Sequence, residues 1–203
     1  MDKIDFKKEL KHLYKPSYKE VEIVNVPEMN FLIINGKGDP NTSEEYQDAI
    51  ETLFSVSYAI KFMIKKGKEA IDYAVMPLEG LWWVDDMSKF SIEDKSNWKW
   101  TAMIMQPEFV LLNLVDEAIR QVEGKKNLNA LSKINFKAFK EGKSAQIMHI
   151  GPFSAEGPTI EKIHQYIKDN GFKLRGKHHE IYLSDVRRAK PEKMKTVIRQ
   201  PIE

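Results

Sequence analysis

Apolar and polar positions along this chain run through the same pattern twice. The first round opens on residues 30–36, NFLIING, a β-branched apolar run closed by glycine, which predicts a strand. The loop KGDPNTSEE follows, where Thr42 or Ser43 with Glu45 behind it predicts a helix start. From there Tyr46, Ile50, Leu53, Phe54, Ser57, Ile60 and Ile64 recur near helical spacing until Gly67 ends the helix. Two strand-like runs come next, IDYAVMPLEGLWWV and WKWTAMIMQP, separated by the turn-rich residues 85–97. The second round opens on residues 144–151, SAQIMHIG. The loop PFSAEGP leads into a helix over residues 159–170, striped by Ile160, Ile163, His164 and Ile167 and closed by Gly171. Two strand runs follow again, HHEIYLSD and KTVIRQPIE. The closing strands are similar as text: TAMIMQP at 101–107 and KTVIRQP at 195–201.

Each round is therefore strand–helix–strand–strand. The expected fold is α+β: tandem duplicated units with pseudo-twofold symmetry and a ligand cleft between them. The expected organisation is one domain over residues 1–203. It has a first repeat at about 20–106, a connecting helical segment at about 107–143 and a second repeat at about 144–203. In the connector, PEFVLLNLVDEAIRQVEGKK starts with Pro-Glu and carries a stripe of Val110, Leu114, Val115, Ala118, Ile119 and Val122, so it predicts a helix. Residues 127–140 are expected to hold a second short helix.

Composition narrows the function classes. A net charge of +2 offers nucleic acid no clustered basic surface. The lysine-rich start, Lys3 to Lys19, reads as a solvated flank. The chain has no cysteine, which excludes disulfides, thiol catalysis and Cys-ligated zinc. No apolar run approaches the ~20 residues that span a bilayer, and the N-terminus has no apolar signal core, so a cytoplasmic protein is expected. His178 and His179 are adjacent on a strand, point to opposite faces and cannot chelate one ion together. No metal or other cofactor is expected. His149 and His164 read as isolated structural residues. NGKGDP lacks the Lys-Ser/Thr of a phosphate loop.

One short stretch raises a chemical question. MPLEGLWWVDD, residues 76–86, holds a carboxylate, Glu79, inside an apolar run. In HHEIYLSD, alternation puts His178, Glu180 and Tyr182 on one face and His179, Ile181 and Leu183 on the other. If Ile181 and Leu183 pack on the helix, Glu180 and Tyr182 face the cleft. In the first round Tyr73, Glu79 and Trp83 share parity unless Pro77 or Gly80 introduces a bulge, so Trp82 and Trp83 are both candidate cleft residues. Trp98 and Trp100 share one face of the next strand. Carboxylates and rings around a cleft suit aromatic or cationic ligands. A glutamate in an apolar pocket can serve as general acid or base near neutral pH. The candidate catalytic residues are Glu180, Glu79 and Tyr182; the candidate ligand-binding residues are Tyr73, Trp82, Trp83, Trp98, Trp100 and His178.

The tandem unit, with E-I-Y-L on its penultimate strand, resembles the GyrI-like small-molecule-binding family over about residues 30–203. This is also the ligand domain of multidrug-sensing transcription regulators, built on SHS2 repeats. The resemblance implies a buried glutamate that faces aromatic walls and attracts cationic or polarised aromatic ligands. By motif that residue is Glu180, with Tyr182 beside it. PLEGLWW is similar to a standalone subgroup, some of whose members hydrolyse the cyclopropane ring of DNA-alkylating natural products, a detoxification. Residues 1–18 are too short for a helix-turn-helix, so no DNA-binding module is expected. The resemblance thus implies a binder of hydrophobic small molecules with or without hydrolase activity. The alternatives are a non-catalytic drug-sequestering or ligand-sensing module and a gyrase-inhibitor-like protein. No protein partner is indicated.

Overall fold

The computed structural model describes residues 3–68, 70–87 and 94–203. Part of the turn-rich stretch expected at 85–97 lies outside the described residues. Two short helices, α1 (Phe6–Glu9) and α2 (Lys11–Tyr14), precede β1 (Glu22–Lys37) and α3 (Glu44–Lys66). Then come β2 (Leu78–Trp83), β3 (Lys99–Gln106), α4 (Leu112–Glu123) and β4 (Asn135–Ile150). The chain ends with α5 (Gly157–Asp169), β5 (His178–Tyr182) and β6 (Lys195–Pro201). The strands pair antiparallel in the order β1-β3-β2-β5-β6-β4, and β4 returns to β1 to close a barrel. Strand–helix–strand–strand occurs twice in this order, as β1-α3-β2-β3 and β4-α5-β5-β6. The two sets meet at two seams, β2 on β5 and β1 on β4.

Closure corrects the expectation of an open cleft between half-sheets. Along the β2–β5 seam the strands are hydrogen-bonded in register from Leu78↔Tyr182 to Trp82↔His178. Other expectations shift for local reasons. β1 begins at Glu22 and β4 at Asn135, well before their apolar halves. The early half of β1, EIVNVPEM, mixes polar and apolar residues and pairs with residues 139–146 of β4, with Glu28 opposite Lys140. The short helix expected over 127–140 reduces to one 3₁₀ turn, Leu131–Lys133, before β4. β2 starts only after Pro77; further upstream, Tyr73 makes an isolated bridge to Ile4. The N-terminal flank is not wholly solvated, since Leu13 and Tyr14 are buried.

Alternation gives the barrel two faces. Directly opposed residues of antiparallel strands share a face. Gln106 donates from Nε2 to Ser57 Oγ of α3 at 3.2 Å, so its side of β3, with Ile104 and Ala102, faces outward under that helix. Leu32 and Ile34 oppose those residues and join the same face, packed against Leu53, Val56 and Ile60 of α3. Each such apolar side chain contributes roughly 1.5–3 kcal/mol by burial. α3 is capped by Ser43, whose Oγ accepts from the Tyr46 N–H at 3.2 Å, with Glu44 and Glu45 in its first turn. α5 covers a second outer patch, setting Ile163 and Ile167 on Ala145, Ile147 and Ile198. Phe31, Ile33, Met103, Leu81, Ile181 and Val197 point inward. Two glycines make room on the outer face. A Cβ on Gly36 would stand 2.2 Å from the Trp100 ring, and one on Gly80 would stand 2.8 Å from Trp82 Nε1.

Candidate ligand site on the outer face of the β2–β5 seam

Glu180 lies opposite Gly80, so it shares the outer face with Trp82, which lies opposite His178. It is 9% exposed. One carboxylate oxygen, Oε1, bonds His178 Nε2 at 3.0 Å. The other, Oε2, accepts from the Tyr182 hydroxyl at 2.6 Å, and Trp82 Nε1 donates to that hydroxyl at 3.1 Å. Burial works against ionising Glu180, but His178 and Tyr182 outweigh it and hold the carboxyl below its ordinary value. The wall around it is aromatic. Tyr46, from the first turn of α3, packs at 5.4 Å on Trp82 and at 5.0 Å on Trp100. Trp98 lies 5.4 Å from Trp82, and Phe153 lies 5.4 Å from Tyr182. Lys95 Nζ sits 4.8 Å from the Trp98 centroid and lowers the Glu180 carboxyl through its charge.

A second carboxylate reaches this face from a place sequence reasoning treated as loop. Glu156 is the N-cap of α5; its backbone carbonyl accepts from Thr159 and Ile160, leaving its side chain free to turn into the seam. The residue is 4% exposed, and its Oε1 is buried without a hydrogen-bond partner among the described residues. Thr196 Oγ1 is also buried, on β6 opposite Tyr182, and its side chain draws the Glu156 carboxyl down. Burial first, and then the Glu180 charge, push the Glu156 carboxyl up to about 9. At neutral pH the two acids therefore differ in state: Glu180 ionised, Glu156 protonated. Such a split provides one base and one acid.

The expected pairing of Glu79 with Glu180 is corrected by register. Glu79 lies opposite Ile181 and points into the barrel, on the other side of the sheet from Glu180. It belongs to an interior network. Tyr14 Oη donates to Glu79 at 2.8 Å, and His179 Nε2 bonds Glu79 at 3.0 Å. His179 Nδ1 bonds Glu141 at 2.9 Å, and Arg199 Nη1 donates to Glu141 at 3.2 Å. Arg199 also donates to the Leu13 carbonyl at 2.6 Å and to Gln146 Oε1 at 3.0 Å. This network ties the N-terminal segment to the barrel interior. Burial disfavours both charges, yet His179 and Arg199 bring Glu141 down to about 2, while Glu141 and Glu79 raise His179 to about 9. With His179 protonated, two carboxylates meet two cations.

The interior network and Glu156 together set a pH dependence of stability. His179 titrates at 6.5 when unperturbed and at about 9 here, so its contribution is complete below pH 6.5 and lost as pH rises through 9. Glu156, raised from 4.5, acts in the same direction from pH 4.5 to about 9. Glu141, lowered from 4.5, contributes above pH 4.5 and loses that contribution only as pH falls through about 2. Urea midpoints are expected to fall from pH 5 to pH 9.5, more steeply above 6.5. In Glu156→Gln the fall confined to pH 6.5–9.5 remains, on the order of 3 kcal/mol. A midpoint that stays level across that window in Glu156→Gln contradicts the assignment to His179.

The remaining candidates divide between the two faces. Glu180, Tyr182, His178, Trp82, Trp98 and Trp100 come together on the outer face. Trp83 has the parity of Glu79, and Lys177 Nζ stands 3.2 Å from its ring centroid. Tyr73 is apart from all of them, packed between Phe6 and Phe109 at 6.3 and 5.6 Å. Its separation follows from leaving the strand before Pro77. Among the described residues no group of three His, Asp or Glu side chains is arranged to hold a metal ion. No helix among them is long and apolar enough to cross a membrane.

Comparison with known proteins places this geometry in a family. A model of the GyrI-like small molecule binding domain matches residues 19–203. An uncharacterized conserved protein from Listeria innocua is 42% identical with a TM-score of 0.91, covering 99% of this chain and 100% of its own. A hydrolase encoded by lin2189 from Listeria innocua is 42% identical with a TM-score of 0.88, covering 100% of both chains. The EcmrR C-terminal domain shares the fold at 13% identity and a TM-score of 0.56, covering 91% of this chain and 97% of its own. No curated protein matches the chain. With the family model spanning nearly its whole length, the chain belongs to the GyrI-like small-molecule-binding domain family.

Proposed function

We propose that this protein binds hydrophobic aromatic or cationic small molecules against Glu180 and hydrolyses strained electrophiles of the cyclopropanoid genotoxin class, a cytoplasmic detoxification. The observation that carries the chemistry is Glu156: a buried carboxyl with an oxygen unpartnered among the described residues, close enough to Glu180 that the Glu180 charge raises it. A cyclopropane conjugated to a dienone opens when water attacks the ring carbon and the electrons flow to the carbonyl oxygen. Glu180 orients that water and takes its proton. Glu156 gives its proton to the carbonyl oxygen, which becomes a phenol. Tyr182 and His178 position Glu180, and Tyr46, Trp82 and Trp98 hold the planar part of the substrate. The 42% identity to a protein described as a hydrolase supports a catalytic role in this chain. We further propose that the two strand–helix–strand–strand sets are copies related by a pseudo-twofold axis through both seams, forming one domain with its site at the β2–β5 seam. The palindromic strand order supports this.

The test uses a spirocyclopropyl cyclohexadienone and the purified protein, with the phenol product followed by absorbance. Wild type is expected to turn it over. Glu156→Gln is expected to lower kcat about 100-fold or more, the range of a lost general acid, while leaving probe affinity within a few-fold. Tryptophan quenching without product reduces the protein to a binder. Unchanged kcat in Glu156→Gln removes Glu156 as the acid.

A further inference from the structure

In the proposed hydrolysis, on which this inference rests, Glu156 gives its proton to the substrate, so whatever seats its carboxyl governs the chemical step. Glu156 closes the turn between β4 and α5. Gly151 N–H donates to the Met194 carbonyl at 3.0 Å, Ala155 N–H to the Pro152 carbonyl at 2.9 Å and Glu156 N–H to the Phe153 carbonyl at 3.2 Å. The side chain that spans this turn is His149, near the end of β4 and 5% exposed. At the start of the turn its Nε2 bonds the Pro152 carbonyl at 3.3 Å. Beyond the turn its Nδ1 bonds Thr159 Oγ1 at 2.9 Å, and Thr159 N–H donates to the Glu156 carbonyl at 2.9 Å. A carbonyl only accepts, so Nε2 carries the ring hydrogen, and in the neutral ring Nδ1 accepts from the Thr159 hydroxyl. Gly151 closes over the ring with φ +144°, where a Cβ would stand 3.1 Å from His149 Nε2. Register places the ring there. Thr196 of β6 lies opposite His149 on one side and Tyr182 on the other, so the three share a row on the outer face. Thr196 draws the Glu156 carboxyl down, and Tyr182 meets Phe153 at 5.4 Å. His149 is therefore not the isolated residue that its sequence neighbours suggest.

We infer that His149 is a positioning residue: by holding Pro152 and Thr159 together, it sets the turn that presents Glu156 to Glu180 and Phe153 to Tyr182. His149 touches no substrate and acts through Glu156. Without the ring, the turn keeps its own short-range bonds but loses the strap across it. The carboxyl then shifts towards water and away from the carbonyl oxygen that it protonates. A displacement of about 1 Å in such a group can cost on the order of 100-fold in rate.

The test compares wild type with His149→Phe, which keeps a ring but neither bond, and Thr159→Val, which removes only the hydroxyl. With the spirocyclopropyl dienone, kcat is expected to fall about tenfold or more in His149→Phe and about threefold in Thr159→Val, with KM within a few-fold of wild type. In a Glu156→Gln background His149→Phe is expected to cost nothing further, because the group it positions is gone. A loss that multiplies with that of Glu156→Gln marks general loosening of the fold and overturns the inference, as does unchanged kcat in both variants. A second readout needs no substrate: carboxyl ¹³C NMR of glutamate-labelled protein against pH, with the Glu156 signal identified by its absence in Glu156→Gln. The Glu156 midpoint is expected to drop by about one pH unit or more in His149→Phe, as its carboxyl gains water, and by less in Thr159→Val. Should His149→Phe fail to fold, Thr159→Val carries both readouts. If wild type does not turn the dienone over, or Glu156→Gln turns it over unchanged, the hydrolysis reading fails and the titration alone decides: a lowered midpoint supports the seating by His149, and an unmoved one overturns it.

Discussion

Replacing Glu180 by Gln is expected to weaken binding of a lipophilic aromatic cation such as ethidium by about 150-fold. The carboxylate is buried, ionised and enclosed by Tyr46, Trp82 and Tyr182, so a cation beside it meets little competing water. Losing one partner of a buried charge pair costs about 3 kcal/mol, which converts to that factor. Gln keeps the shape and can still accept the Tyr182 hydroxyl bond, so the fold and the thermal midpoint are expected to stay near wild type. Glu79→Gln provides the contrast. Glu79 faces the barrel interior, where it accepts from Tyr14 and bonds His179. Its replacement is expected to lower stability and leave ethidium affinity within a few-fold. Tryptophan fluorescence titration beside urea unfolding separates the two outcomes. Equal affinity in wild type and Glu180→Gln removes Glu180 from the site.

The second large effect is on stability. Arg199→Met leaves the Leu13 carbonyl and Gln146 Oε1 without their guanidinium donor and strips Glu141 of one of its two cations. Arg199 is 1% exposed, so water cannot take over those bonds. Removing one member of a buried ion network typically costs about 3–5 kcal/mol, because the groups left behind remain desolvated. Urea unfolding is expected to show that loss, and limited trypsin digestion is expected to cut sooner after Lys11, in the segment that Arg199 holds. Arg199→Met combined with Glu141→Leu is expected to recover part of the loss, since the pair can be replaced by apolar packing more cheaply than it can be broken. A loss below about 1 kcal/mol in Arg199→Met contradicts a latch between the N-terminal segment and the barrel.

How far the sequence went depended on whether a feature was local. The repeated element order was legible because glycines bound the apolar runs and α3 and α5 carry clear stripes. The grouping of His178, Glu180 and Tyr182 was legible from alternation within one strand. Whether Glu79 shares their face was not, because parity within β2 says nothing until Gly80 is known to oppose Glu180. One residue of slip would reverse the answer. Barrel closure depends on the same long-range registers. The early halves of β1 and β4 were missed because polar residues interrupt their apolar ones and because the pairing that holds them, residues 22–33 with 135–146, is long-range. Glu156 escaped because it sits in an irregular turn; the signal available was an acid directly before the Gly-Pro that opens α5. Glu141 was hidden in the lysine-rich FKAFKEGK, where an acid looks solvated. Only the fold brings it to His179 and Arg199.

The most direct test of the central claim is a crystal structure of Glu156→Gln soaked with the spirocyclopropyl dienone. The expected result places the ring system against Tyr46 and Trp82, with the carbonyl oxygen in hydrogen-bond reach of residue 156 and the cyclopropyl carbon on the Glu180 side. Dienone bound elsewhere, with Glu180 still closed in by His178, Tyr182 and the tryptophans, would contradict a ligand site at the β2–β5 seam.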